Sequence, residues 1–273
     1  MKVLMLDLPI SPSGAPAVDI ATEILMESGR ILISRFNENN SVRNKLGNGD
    51  IVTDADIIVE HSIIAQLMRH FPDDGFVAEE SDPVEGNSGF VWVVDPLDGT
   101  RNYSMHIPFF CTTLALTRNE EVLMGLTYDP MRGELFRAIK GKGSFLNQSP
   151  VRPSRKKVLS EAMISYDLGN LDHAAFALEM LVNVMPKIGS TRLLGSAALG
   201  LAYAACGRTD IYFHNSLMPW DLASGLLLVS ESGGLVSDKK GVPASLSSTG
   251  IIASGHDLHA SFLTAIENEK WRY

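Results

Sequence analysis

Five apolar residues, Phe90-Val91-Trp92-Val93-Val94, run without a break into Asp95-Pro96-Leu97-Asp98-Gly99-Thr100. The apolar run predicts a buried strand. Two carboxylates at the end of such a strand are costly unless something compensates their charge. Pro96 fixes the backbone between them. Gly99 permits a tight turn, after which Thr100 can open a helix. Two carboxylates three residues apart on this turn can converge on one hard cation. Mg²⁺ favours oxygen ligands and keeps waters that a phosphate can replace. The same residues also suit a helix N-cap, with Asp98 or Thr100 accepting from backbone N–H groups. The motif alone leaves both readings open.

Other acids stand in similar places. Glu79-Glu80 closes a short apolar strand, Phe76-Val77-Ala78, expected to neighbour the first. Asp221 follows Trp220 at the opening of a helix, after Asn215-Ser216-Leu217-Met218-Pro219. Asp56 follows Thr53 by three residues at the head of another helix. Each has an ordinary reading: an exposed charge for Glu79, helix-dipole stabilisation for Asp221, a capping box for Asp56. Their repetition beside buried strands and helix starts favours a shared site.

The remaining pattern sets the organisation. Residues 1–16 end in Ser11-Pro12-Ser13-Gly14-Ala15-Pro16 and read as a loose leader. A helix is expected from Val18, with Ile20, Ala21, Ile24, Leu25, Ile31 and Leu32 on one face. Gly47-Asn48-Gly49-Asp50 breaks it, and Thr53 opens a second helix with Ile57, Ile64 and Met68 expected on its buried stripe. Thr112–Thr117 and Val122–Tyr128 read as a hairpin, as do Leu135–Ile139 and Ser144–Leu146. Arg152-Pro153-Ser154-Arg155-Lys156-Lys157 is expected to be a solvated joint rather than a nucleic-acid patch. Beyond it, helix and strand alternate: helices over Asp172–Val184, Gly195–Ala205, Trp220–Ser232 and His256–Asn268, strands over Asp210–Phe213 and Ile251–Ala253. We expect one domain over residues 1–273, built from an N-terminal half (about 17–150) and a C-terminal half (about 158–273).

Composition excludes several function classes. The chain has 273 residues, 45% of them hydrophobic, enough for a sizeable core. Lys+Arg 23 against Asp+Glu 32 gives a net charge of -9, which disfavours a generic nucleic-acid surface or an anionic membrane as partner. Cys111 and Cys206 lie in apolar or small-residue runs and read as plain thiols rather than a disulfide. No stretch approaches the roughly 20 apolar residues of a membrane span. A cytoplasmic protein is expected.

Taken together, the motifs resemble the inositol monophosphatase family of Mg²⁺-dependent, lithium-sensitive phosphatases. They appear in family order: Gly49-Asp50-Ile51-Val52-Thr53-Asp54-Ala55-Asp56, Ala78-Glu79-Glu80-Ser81, Trp92 through Tyr103, Gly195-Ser196-Ala197-Ala198, Trp220-Asp221-Leu222-Ala223-Ser224-Gly225 and Glu231-Ser232-Gly233-Gly234. The resemblance implies an αβαβα layered α/β fold of the inositol monophosphatase and fructose-1,6-bisphosphatase type, and a homodimer. It implies a first Mg²⁺ on Glu79, Asp95 and the carbonyl of Leu97, a second on Asp95, Asp98 and Asp221, and a third, weaker one on Glu79 and waters. It implies that Thr100, hydrogen-bonded to Asp56, helps to position and activate the attacking water, with Glu79 also counted as catalytic. Lys45 and Asp50 would lie near the active-site loop. Asp98, Gly99, Thr100, Gly195, Ser196, Ala197, His214 and Asp221 would face the substrate, a small phosphorylated metabolite.

Two features depart from the family pattern. His214 occupies a position where the inositol-preferring animal enzymes have a glutamate that accepts ring hydroxyls. An imidazole cannot replace that acceptor, which weakens inositol 1-phosphate as the best substrate; a partly exposed histidine without a role is the alternative. Arg101 and Arg192 are either solvated charges or grips for a second anionic group. The main functional expectation is hydrolysis of small polyol or sugar phosphates. Fructose 1,6-bisphosphate or 3′-phosphoadenosine 5′-phosphate is the alternative substrate. A catalytically silent scaffold is disfavoured, because buried carboxylates kept together without a metal are costly.

Overall fold

Helical periodicity near the start of the chain produces α1 (Ala17–Arg35) and α2 (Asp54–His70). The computed structural model describes residues 8–38, 42–44, 51–169 and 174–273. Residues 1–7 of the expected leader, Lys45, the break at Gly47-Asn48-Gly49-Asp50 and the expected helix start at Asp172 lie outside that set. On α1 the expected face is buried, Ile20, Ala21, Ile24, Leu25 and Leu32 included. On α2 the stripe is corrected. Val59, Ile63 and Leu67 are buried, whereas Met68 is 42% exposed and Ile57 and Ile64 are half-buried. Apolar residues lie on two adjacent faces of this helix, and packing against the sheet selects the other one.

A seven-stranded sheet takes its strands in chain order. Its strands are β3 (Gly75–Ala78), β4 (Phe90–Asp98), β5 (Cys111–Arg118), β6 (Glu121–Asp129), β7 (Glu134–Ile139), β8 (Gly143–Leu146) and β9 (Ser149–Pro150), in that spatial order. Only β3 and β4 run parallel. Both expected hairpins form. A small antiparallel pair, β1 (Val42–Asn44) and β2 (Ile51–Thr53), leads into α2. Strand β4 continues past Val94 to Asp98 with a register shift between Asp95 and Asp98, so the two acids belong to the strand's end rather than to a turn beyond it.

The second sheet has β10 (Met163–Asp167), β11 (Ser190–Leu193), β12 (Ile211–His214), β13 (Leu235–Asp238) and β14 (Ile251–Ser254), in the order β11-β10-β12-β14-β13. The three strands at one side are parallel and the rest antiparallel. Around it stand α4 (Ala175–Val184), α5 (Ala197–Ala205), α6 (Pro219–Glu231) and α7 (His256–Ala265). The last helix ends three residues earlier than the sequence suggests, at Ala265 rather than Asn268.

Strand alternation assigns the layers. On β4, Trp92 and Val94 enter a core shared with α1 and α2, while Val93 faces the opposite core with α5 and α6. On β12, Tyr212 joins α5 and α6, while Ile211 and Phe213 face α4 and α7. The result is helix, sheet, helix, sheet, helix, the αβαβα arrangement expected. Helix α6 lies between two sheets and is buried continuously from Leu222 to Val229. Its contact with the large sheet is close enough that a Cβ on Gly125 of β6 would meet Ser224 Cα at 2.8 Å.

The joint at 151–158 forms no regular element, but it is not free of the fold. Lys156 Nζ reaches Asp210 Oδ2 at 2.9 Å and the carbonyl of Glu161 at 3.0 Å. Both cysteines are free thiols. Among the described residues, no helix is long and apolar enough to cross a membrane.

Candidate active site

Strand β3 ends beside its parallel neighbour β4, with Ala78 opposite Val94. The next residues, Glu79 and Asp95, are therefore neighbours, and the charge of Glu79 acts on Asp95. Asp95 is buried and also accepts the Leu97 N–H at 3.0 Å. Burial raises its carboxyl well above the usual range, and the like charges of Glu79, Asp98 and Asp221 push it further in the same direction. Asp221 arrives from the first turn of α6, where its carboxylate accepts the Met218 N–H at 2.6 Å. Asp98 lies at the end of β4. Carboxylate oxygens of Asp95, Asp98 and Asp221 all fall within 4.8 Å of one another.

Asp98 ties the two sheets together. Its Oδ2 accepts the Ser196 hydroxyl and the Ala198 N–H at 2.8 Å, and its Oδ1 accepts the Ala197 N–H at 3.1 Å. The Cys111 thiol lies 3.6 Å from Oδ2. Burial raises the Asp98 carboxyl, while these donors pull it back. The N-cap reading is corrected: the short helix α3 (Thr100–Ser104) that follows Asp98 is headed by Gly99 and has no side-chain cap. Asp98 instead accepts the first two N–H groups of α5, about a hundred residues later, whose own N-cap is Ser196.

Gly99 heads α3 with φ +93 and no room for a side chain: a Cβ would meet the carbonyls of Phe109 at 3.1 Å and Gly195 at 3.2 Å. This turn aims the first side chain of α3 back at the strand. Thr100 Oγ1 lies 3.0 Å from Asp56 Oδ1 and 2.9 Å from the Leu97 carbonyl. A hydroxyl has one hydrogen and can give it to only one of them at a time. Asp56 meets both sequence readings. Its Oδ2 accepts the Thr53 N–H at 2.9 Å and the Thr53 hydroxyl at 2.6 Å, the expected capping box, while Oδ1 stays turned to Thr100. Burial raises its carboxyl and the Thr53 and Thr100 hydrogen bonds oppose that rise.

The donor set fits a hard divalent cation. It is all oxygen, Asp95 and Asp98 are buried with Glu79 and Asp221 half-buried beside them, and the forces acting on Asp95 are burial and like charge. A cation held here would offset the like charges around Asp95 and let the whole group ionise. Asp95 is the central member, in contact with Glu79 on one side and clustered with Asp98 and Asp221 on the other.

The inositol monophosphatase family model matches residues 15–270. The chain belongs to the inositol monophosphatase family. It is 37% identical over 255 residues to the inositol-1-monophosphatase of Mesorhizobium japonicum, covering 92% of this chain and 96% of that protein. It is 37% identical over 232 residues to the Nus factor SuhB of Xylella fastidiosa, covering 84% of each. The crystal structure of the extragenic suppressor protein suhB from Bartonella henselae superposes with a TM-score of 0.89 at 35% identity, over 92% of this chain and 98% of that one.

Other residues singled out by the inositol monophosphatase resemblance fall in different places. Gly195 leads into α5, and Ser196 and Ala197 at its start are joined to Asp98 as described. His214 is not the partly exposed residue of the alternative reading: it is 5% exposed. Its Nδ1 accepts the Ser216 N–H at 3.1 Å, so the ring proton sits on Nε2. Burial, with Lys239 adding to it, pushes His214 down to about 3, so it is neutral at physiological pH. Arg101 is exposed on α3, and the exposed Arg192 turns its guanidinium onto the Thr191 carbonyl at 2.7 Å. Lys45 and Asp50 lie outside the described residues.

Sequence reading missed Asn102 and Asp167. The Asn102 amide donates to the carbonyls of Phe109 at 2.8 Å and Leu194 at 2.9 Å, locking α3 to the turn before α5. It lay inside a quoted motif, but nothing in its identity signalled a contact so distant in sequence. Asp167 closes β10, a strand the pattern reading did not recognise.

Proposed function

We propose that the protein hydrolyses small phosphate monoesters with Mg²⁺ at the Glu79, Asp95, Leu97, Asp98 and Asp221 site. The family is one of phosphoric monoester hydrolases, and the observation that carries the reading is the convergence of three carboxylates beside the Thr100–Asp56 pair. Glu79, Asp95 and the Leu97 carbonyl would hold one ion, and Asp95, Asp98 and Asp221 another. When bound, such ions lower the pKa of water and neutralise charge on the leaving oxygen.

The protein's own groups have distinct tasks in this reading. With the Leu97 carbonyl turned to a cation, Thr100 gives its single hydrogen to Asp56. The Thr100 oxygen then offers its lone pairs to a hydrogen of the attacking water and aligns it. The N–H groups of Gly99 and Thr100 would bind the phosphate. Water adds to phosphorus and gives up a proton, the bond from phosphorus to the ester oxygen breaks, and the departing alkoxide takes up a proton, leaving phosphate and an alcohol. Gly195 would face the organic part of the substrate, with Ser196 and Ala197 buried behind it on Asp98.

His214 supports a permissive enzyme. A neutral, buried imidazole whose Nδ1 is already engaged offers little to a ring of hydroxyls. A site lacking a matched acceptor discriminates weakly among alcohols. Specificity constants for several polyol and sugar phosphates are expected within about tenfold of each other, a span of about 1.4 kcal/mol. The deciding experiment is phosphate release from a panel of phosphomonoesters and bisphosphates, with Mg²⁺ and after chelation. No release from any of them with Mg²⁺ present would overturn this function.

A further inference from the structure

The second sheet ends in a carboxylate to which the catalytic reading gives no task. Asp167 closes β10 directly across from His214 in the parallel β10–β12 pair, and it is 6% exposed. Its Oδ1 accepts the Gly195 N–H at 2.6 Å, and its Oδ2 accepts the Tyr212 hydroxyl at 3.0 Å. Both donors are neutral. The charge acting on it is that of Asp98, of the same sign, and with burial as the first cause its carboxyl is raised to about 7. A buried carboxylate held by neutral donors beside a like charge is an expensive arrangement for a chain that only needs to fill space.

What Asp167 holds gives the arrangement a purpose. Gly195 has φ +79 and lies against the Asn102 amide, where a Cβ would stand 2.8 Å from Nδ2. The next three residues supply the Ser196 hydroxyl and the Ala197 and Ala198 N–H groups that grip Asp98. Fixing the Gly195 N–H therefore fixes the turn from which these donors point. Tyr212, fully buried, fixes the carboxylate in its turn. The relay runs from the Tyr212 hydroxyl through Asp167 and the Gly195 N–H to Asp98.

We propose that Asp167 is a positioning residue of the metal centre, setting the orientation of Asp98 through the turn at Gly195–Ala198. The proposal rests on the reading of Asp98 as a metal ligand. Groups that orient a ligand from behind commonly govern metal affinity by about 10- to 100-fold. Asp167 serves here through one backbone N–H, so the requirement is for an acceptor at Oδ1 rather than for charge at the metal.

The test is calorimetric titration of Mg²⁺ into the full chain, without substrate, for wild type, Asp167→Ala, Asp167→Asn and Tyr212→Phe. Asp167→Ala is expected to weaken Mg²⁺ binding by about tenfold or more. Asp167→Asn should stay within about threefold of wild type, because an amide oxygen still accepts from Gly195. Tyr212→Phe should fall between them. A purely structural role would lower the melting temperature and leave Mg²⁺ affinity unchanged, and that result overturns the proposal. So does an Asp167→Asn variant as weak as Asp167→Ala. If Asp167→Ala does not fold, wild-type affinity in Tyr212→Phe overturns it. Absence of Mg²⁺ binding by wild type would overturn the metal-centre reading itself, and the proposal with it.

Discussion

Thr100 Oγ1 stands 3.0 Å from Asp56 Oδ1, linking the first residue of α3 to the first turn of α2 across 44 positions of sequence. The carboxylate that receives it also closes a capping box with Thr53, so one side chain serves the helix with one oxygen and the site with the other.

That division predicts two separable losses. Thr100→Ala should lower turnover by about 10²-fold or more with little loss of stability. Asp56→Asn should lower turnover comparably and also cost about 1 kcal/mol of stability through the cap. The double variant should turn over little more slowly than either single one, because the pair acts as a unit. Steady-state rates and urea unfolding of the three variants check this; additive rate losses would show that the residues act separately.

Metal dependence is the second prediction. Chelation should abolish phosphatase activity and added Mg²⁺ should restore it. Asp95→Asn nearly preserves volume but removes the central carboxylate, and should reduce the rate by at least about 10³, or about 4 kcal/mol of transition-state stabilisation. Initial rates with and without chelator decide the first point. A folded Asp95→Asn with wild-type rate would refute the central role of that residue.

A third prediction concerns His214. Glutamate at this position would set a second carboxylate directly across the β10–β12 pair from Asp167, with both side chains buried. His214→Glu should therefore cost about 3 kcal/mol at pH 8, the scale of an uncompensated buried charge. His214→Gln, which stays neutral and keeps an acceptor for the Ser216 N–H, should cost no more than about 1 kcal/mol. Equal stabilities of the two variants in denaturant titrations would contradict the buried placement.

Acid sensitivity follows from the buried histidines. His259 bridges Ser254 at 3.0 Å through Nδ1 and Ser237 at 2.9 Å through Nε2, joining α7 to β14 and β13. Burial, with His256 adding to it, pushes His259 down to about 4. A histidine whose folded value lies below its unfolded value of about 6.5 gives its full stabilisation above that pH and loses it as pH falls toward 4. The slope is about 1.4 kcal/mol per pH unit. Asp95, Asp98 and Asp167 are raised and act with the opposite sign, losing stability as pH rises through their folded values. The comparison must therefore be differential. Between pH 6.5 and 4.5, His259→Gln should lose stability less steeply than wild type by about that slope. Urea midpoints at pH 8, 6 and 5 measure it.

The acids at strand ends were legible because β4 advertises itself. An uninterrupted apolar run stopped by two carboxylates is seldom anything but a buried strand that ends at a charged site, and the same logic found Glu79 after Phe76-Val77-Ala78. It failed at Asp167 because β10, Met163-Ile164-Ser165-Tyr166-Asp167, shows no clean alternation, and its partner β11, Ser190-Thr191-Arg192-Leu193, is a half-exposed edge with one apolar residue. The stripe of α2 was misplaced for a related reason. Ile57, Ile64 and Met68 and the buried series Val59, Ile63 and Leu67 both have helical spacing, and only the position of the sheet chooses between them. The layer order came from the family resemblance; the alternation of helix and strand beyond the joint agrees with it but does not by itself order the layers. The grip of α5 on Asp98 was not legible, since hydrogen bonds between residues so far apart leave no trace in local composition.

That grip has a consequence for synthesis of the chain. When residues up to about 160 have emerged from the ribosome, Asp56, Glu79, Asp95, Asp98 and Thr100 are all present, and the first sheet has its complete set of strands. Asp98 still lacks every donor from α5, and Asp221 has not been made. The nascent half therefore holds only part of the proposed ligand set and would capture cations poorly. Under the proposed metal reading, cation loading would be coupled to docking of the second sheet, so that a charged centre would report a finished molecule rather than a folded fragment.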